Sequence, residues 1–165
     1  MEKALEKLLS MKLQADEFEA IKGLQKTAKP KSKPKSDSIQ FQPLKEEILK
    51  SKYILKLENN WDEDGALPVS PTIYETAIHF LQNYTMFIFE TYKMIVETPS
   101  INPVKNGSID LEWHTPNAQL LINIRDTQNA YYYGDQNNNI NAIKGNVSTQ
   151  TVEIFFAVWM TKLTL

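Results

Sequence analysis

Near residue 98 the apolar pattern of this chain changes its period. Upstream, apolar residues recur every three to four positions; downstream, they alternate. A helix repeats every 3.6 residues and a strand every 2, so the two blocks predict helices first and an antiparallel sheet after them. "PSINPVKNGSIDLEW", residues 99–113, contains Asn106-Gly107, a strong hairpin signal. Ile109, Leu111 and Trp113 then fall on one face, Asp110 and Glu112 on the other. "AQLLINIRD" repeats the alternation, with Leu120, Ile122 and Ile124 inward and Asn123 and Arg125 outward. "AYYYG" reads as a short fourth strand, and "DQNNNINAIKGN" as a loop with at most a weak fifth. Ser148 or Thr149 is placed to cap a last helix, in which Val152, Phe155, Phe156, Trp159, Met160 and Leu163 form a wide stripe.

In the upstream block, Pro43 opens a helix reaching to about Asn59, with Leu44, Ile48, Ser51 and Leu55 on one face. Pro71 opens a long helix to about residue 97, striped by Ile73, Ala77, Phe80, Leu81, Tyr84, Phe87, Ile88 and Ile95. That helix has room for a break near Asn83, and a strand over "TMFIFETY" is the competing reading, because that piece is rich in β-formers. The fold class is α+β: helices, a four- to five-stranded antiparallel meander, and a C-terminal helix packed on one sheet face.

Ahead of this domain, residues 40–165, stand two segments of different composition. Residues 1–26 read as an amphipathic helix, with Ala4, Leu8, Met11, Ala15 and Phe18 on one face and Leu5 beside them. Residues 27–39 belong to a Lys, Pro and Ser linker that lacks the apolar residues needed to bury itself. Residues 1–56 hold 13 Lys and 8 acids, while residues 57–165 hold 4 Lys, 1 Arg and 12 acids. A helix needed only for the local core rarely requires a long charged tether. Leu5, Leu8, Met11 and Phe18 are therefore the expected anchors of a helix-in-groove contact with a partner protein.

The apolar share of 42% is enough for a core, and no apolar run is long enough to span a bilayer. "MEKALEKLLSMKLQADEFEA" mixes charge with leucine throughout, unlike a secretory signal. With no cysteine there is no thiolate site, and a cytoplasmic location is expected.

The most individual stretch is "NNWDEDGALPVSP", residues 59–71. Asn60, Asp62, Asp64 and Gly65 match positions 1, 3, 5 and 6 of an EF-hand-like loop. Position 12, however, is Pro71 instead of a bidentate glutamate, leaving Glu75 as the one further candidate ligand. As a corner between helices the stretch explains more of its residues. Asn59 and Asn60 tolerate a left-handed helix end, Gly65 allows a turn, Ser70-Pro71 starts the next helix, and Trp61 packs beneath. "NWDEDGALPVSP", followed by "NGSIDLEW" and "YYYGD", resembles a group of small bacterial and phage-borne proteins with no established activity. Their pattern is matched at Trp61, Asp62, Gly65, Ala66, Pro68, Ser70 and Pro71, then at Gly107, Leu111, Glu112 and Trp113. The likeness covers residues 54–135 and the final helix; residues 85–97 read as an insertion, and the N-terminal helix lies outside it. With that setting, the resemblance implies an accessory or inhibitory subunit of a toxin-like or antiviral-defence system.

Little else in the chain points to chemistry. His79 and His114 lack neighbours at zinc-ligand spacing, and there is no phosphate-binding glycine loop or serine-hydrolase elbow. No cofactor or metal is expected. Asp110, Glu112, Asn123 and Arg125 would share the outer sheet face, most simply as a solvated surface with a cross-strand ion pair. The rival to the interaction reading is a small metal-dependent hydrolase or nucleotide-processing enzyme using Asp62, Asp64, Glu112 and Arg125. Lys29, Lys31, Lys33 and Lys35 could make nonspecific phosphate contacts, but no aromatic residue interleaves them.

Overall fold

The computed structural model describes residues 40–136 and 140–164, without the side chains of residues 140 and 141. The expected N-terminal helix and its linker, including Leu5, Leu8, Met11, Phe18, Lys29, Lys31, Lys33 and Lys35, lie outside the described residues.

The first described helix, α1 (Gln42–Ser51), begins with Pro43 in its first turn. It tightens into a 3-10 turn, Lys52–Lys56, instead of continuing to Asn59. Residues three apart eclipse one another in that geometry. Ile54 therefore follows Ser51 into the core, while Leu55, expected inside, is 43% exposed. α1 is fastened to the second helix through Tyr74, whose hydroxyl lies 2.9 Å from Ser51 Oγ and donates to Ile48 O.

That second helix, α2 (Pro71–Tyr92), runs unbroken for 22 residues. The strand reading of "TMFIFETY" is thereby overturned, and so is the break near Asn83. Thr85 and Ile88 continue the buried stripe of Tyr74, Ala77, Ile78, Leu81 and Tyr84, so packing at helical spacing prevails over local β propensity. Lys93, in the left-handed region with φ 57°, stops the helix short of residue 97. Ile95 is consequently exposed instead of extending the stripe.

Among the described residues the sheet has five antiparallel strands in sequence order: β1 (Ser100–Pro103), β2 (Ile109–His114), β3 (Ala118–Ile124), β4 (Asn129–Gln136) and β5 (Ile140–Ser148). Asn106-Gly107 lies in the hairpin turn joining β1 to β2, with Gly107 at φ +80°. Alternation is strict on β2 and β3: Ile109, Leu111, Trp113, Leu120, Ile122 and Ile124 are buried. β5, expected as loop with a weak strand, is a nine-residue strand. Its inward positions include Gly145, where an added Cβ would come within 2.9 Å of the Tyr132 hydroxyl. The ring of β4 fills the place of a side chain on β5, which is why β5 lacks the apolar alternation of its neighbours.

The last helix, α3 (Ile154–Met160), covers the inner face over β4. Phe156 packs between Tyr84 of α2 and Tyr132 of β4, at centroid distances of 5.4 and 4.5 Å. Trp159 lies over Gly134, where a Cβ would be 2.6 Å from the indole ring. Ser148 and Thr149 do not cap this helix; Ser148 ends β5 and the N-cap residue is Glu153. That later start rotates the stripe, so Phe155 is 77% exposed. No helix among the described residues is long and apolar enough to cross a membrane.

Candidate functional site

Residues 59–71 form a corner held by its own polar groups. Asn60 and Glu63 adopt positive φ, at 66° and 62°, and Gly65 sits at φ 84°. Asn60 Oδ1 accepts from Gly65 N at 2.7 Å, and Asp62 Oδ1 accepts from the N–H groups of Asp64 and Ala66. Trp61 Nε1 donates to Leu67 O, and Ser70 Oγ accepts from Ile73 N as the cap of α2. Across the corner stands Lys105, from the β1–β2 turn. Its ammonium lies 3.2 Å from Asp62 Oδ2 and also pairs with Asp64. Leu67 N donates to Lys105 O, so backbone and side chain of one turn residue both clasp the corner.

The N–H of Asp64 leads in holding the Asp62 carboxyl below its usual range, aided by Ala66 and Lys105 and opposed by partial burial. Asp64, then Asp62, raises the Lys105 ammonium. One Asp62 oxygen is thus taken by backbone donors, and the other, buried and without a hydrogen bond, faces the Lys105 ammonium at ion-pair distance. Asn60 Oδ1 likewise serves the loop's own backbone. Among the described residues no group of three or more His, Asp or Glu side chains is arranged to hold a metal ion.

The outer sheet face carries the second polar group. The registers align Asn102, Asp110, Asn123, Tyr131 and Asn146 in one row, and Ser100, Glu112, Leu121, Tyr133 and Lys144 in the next. Asn123 Nδ2 donates to Asp110 Oδ1 at 2.7 Å and to Ser108 Oγ at 2.8 Å. Burial pushes the Asp110 carboxyl up, with Glu112 adding to the shift and the Asn123 hydrogen bond opposing it. Glu112 lies 3.5 Å from His114 Nε2 and helps line a groove of about 210 Å³ with Leu121, Tyr133 and Asp135.

Among the described residues Arg125 makes no cross-strand ion pair; its guanidinium sits 3.9 Å above the centre of the Tyr131 ring. Arg125 is four residues along from Leu121, the register partner of Glu112, which puts the two about 13 Å apart along the strand. Of the four residues of the enzyme reading, then, Asp62 and Asp64 share a cation at the corner. Glu112 faces the groove, and Arg125 is stacked elsewhere.

A larger depression of about 700 Å³ lies between the start of α1 and residues 93–98, lined by Phe41, Leu44, Met94 and Val96. It is mainly apolar. Sequence reasoning missed Lys105 as the clasp of the corner, and no local signal marks a partner more than forty residues from Asp62. Comparison with family models, curated proteins and solved structures finds no match for this chain.

Proposed function

We propose that this chain is a non-enzymatic protein-interaction module, an accessory or inhibitory subunit that docks a partner protein through the amphipathic face of residues 1–26. The observation that carries the proposal is the separation of the candidate catalytic groups, each engaged in its own local contact. Asp62 accepts two backbone N–H groups and is ion-paired with Lys105, Glu112 neighbours His114, and Arg125 stacks on Tyr131. General acid–base chemistry needs such groups converging within hydrogen-bond reach of one reacting centre. The amphipathic pattern of Leu5, Leu8, Met11 and Phe18 and the charged tether support the partner contact. The resemblance to bacterial and phage-borne proteins is the support for a toxin-like or antiviral setting.

Affinity purification from the native host tests the proposal, comparing the full chain with Leu8→Glu/Met11→Glu. A stoichiometric protein that copurifies with the wild type and is lost with the double variant is the expected result. A wild type that comes down alone overturns the reading. A melting temperature that rises with magnesium, manganese or calcium would instead favour the metal-dependent enzyme, because an ion bound only to the native state must stabilise it.

A further inference from the structure

We propose that the chain forms a two-fold homodimer by pairing β5 with β5 of a second copy, covered on the inner face by contact between the two α3 helices. The proposal concerns a different surface from the partner contact above and does not rest on it.

Two observations carry it. The first is a row of outward-facing backbone groups. Ser148 N donates to Glu153 Oε1, and Asn129 N to Asp126 Oδ1, so this register pair does not exchange the ladder hydrogen bonds. In an antiparallel ladder hydrogen-bonded and non-hydrogen-bonded pairs alternate. Asn146 and Lys144 have the same parity as Ser148. Their N–H and C=O groups therefore point away from β4, at an edge that no other strand pairs among the described residues. Such a row is a template for another strand.

The second is an apolar ridge beside that edge. Ile154, Phe155 and Val158 of α3 are 65%, 77% and 46% exposed. Glu153, which holds Ser148 at the end of β5, immediately precedes them, so the ridge begins where the open edge ends. A patch of this kind, on the order of a few hundred Å², matches the largest apolar patch of a typical monomer, and such patches are often functional. Together with a strand edge it approaches the roughly 800 Å² per partner of a stable contact.

A second copy fits both features at once. A two-fold axis through the β5 edge continues the sheet to ten strands and places both α3 helices on the same face. Charge points the same way. Residues 57–165 carry 12 acids against 5 cations, yet residues 140–160 hold only Lys144 and Glu153, and Glu153 is bound to Ser148. A self-contact here avoids the like-charge opposition it would meet over most of this acidic domain. The register follows from the same rule. Pairing Lys144 with Lys144 would oppose two cations, whereas centring the axis on Gly145 sets Lys144 against Asn146, and Ile143 against Val147. That register gives four backbone hydrogen bonds before Glu153 closes the ladder.

Sedimentation of the full chain across a range of concentrations tests the dimer. The wild type is expected to dimerise at micromolar concentration. Phe155→Glu, at an exposed position, is expected to weaken the dimer at least tenfold with an unchanged fold by circular dichroism. Asn146→Pro should do the same, because it removes an outward N–H that makes no bond to β4. The chain has no cysteine, so the register can be read by cross-linking. A mixture of Lys144→Cys and Asn146→Cys proteins should form a disulfide-linked heterodimer more readily than either protein alone. A wild type that stays monomeric, or a dimer indifferent to both substitutions, overturns the proposal. A dimer that cross-links fastest through Lys144→Cys alone overturns the register.

Discussion

The two edges of the sheet are built differently. β1 is four residues long, ends in Pro103, and has the N–H of Ile101 donated to Glu47 Oε1 of α1 at 3.4 Å. The adjoining turn is locked from the other side by the acidic corner, through Lys105 and the Leu67–Asn106 bridge. β5 is nine residues long, carries one Lys, and is closed only at its last residue by Glu153. Shortness, proline and a covering carboxylate are the devices by which proteins prevent unwanted strand pairing. Shortness and proline occur on β1 alone, which fits a β5 edge that is kept for use.

The two halves also depend on different forces, and substitutions can separate them. The β4–β5 half rests on α3. Phe156→Ala empties the space between Tyr84 and Tyr132 and is expected to cost about 3–5 kcal/mol, as other buried Phe truncations do. Urea unfolding with an unchanged m value would read it. A loss under 1 kcal/mol would mean that α3 is an accessory to the sheet, and the contrast between the halves would fail.

The β1–β2 half shares the apolar core but adds a charged clasp at its turn, which pH exposes. The Asp62 carboxyl is held low in the folded state, chiefly by the Asp64 N–H. Its contribution is present above the unfolded carboxylate value and is lost as pH falls through the lower folded value. Asp62→Ala should therefore lower the melting temperature at pH 7 and lower it less at acid pH, as protonation removes the same contacts from the wild type. An equal loss at both values would assign the effect to packing. Asp110 has the opposite sign. Its raised carboxyl, caused mainly by burial, makes the ionised form a cost that appears as pH rises through the folded value. Asp110→Asn should leave stability equal or slightly higher at pH 7, with the advantage vanishing in acid. A clear loss at pH 7 would mean that the Asn123 contact requires the charge.

How far the sequence announced this arrangement varies by region. β2 and β3 were readable because one face is dry and the other wet, which imposes strict alternation. β5 was not, because its inward position at Gly145 is filled by Tyr132 from the neighbouring strand. At the corner, Asn60, Gly65 and Ser70-Pro71 could be assigned from backbone chemistry alone. Lys105 could not, since its link to Asp62 is tertiary. The phase of α3 turned on where so short a helix starts: with Glu153 as cap, Phe155 points to solvent and Phe156 inward. Position 155, assigned to the core from its spacing, thus became part of the proposed interface.

The smallest expected effect tests the closed edge most directly. Glu47→Ala removes the acceptor for Ile101 N and the ion pair with Lys50. The bond to Ile101 is long and the Lys50 partner largely exposed, so the loss should be about 1 kcal/mol or less. The informative readout is association. If Glu47 alone guards β1, its removal should add concentration-dependent species larger than a dimer, because each copy would then offer two open edges. We expect none. Pro103 still lacks a donor, and four residues offer too few groups to hold a strand. Larger assemblies by sedimentation would make the guard a single carboxylate. A distribution that matches the wild type would place it in the length and the proline of β1.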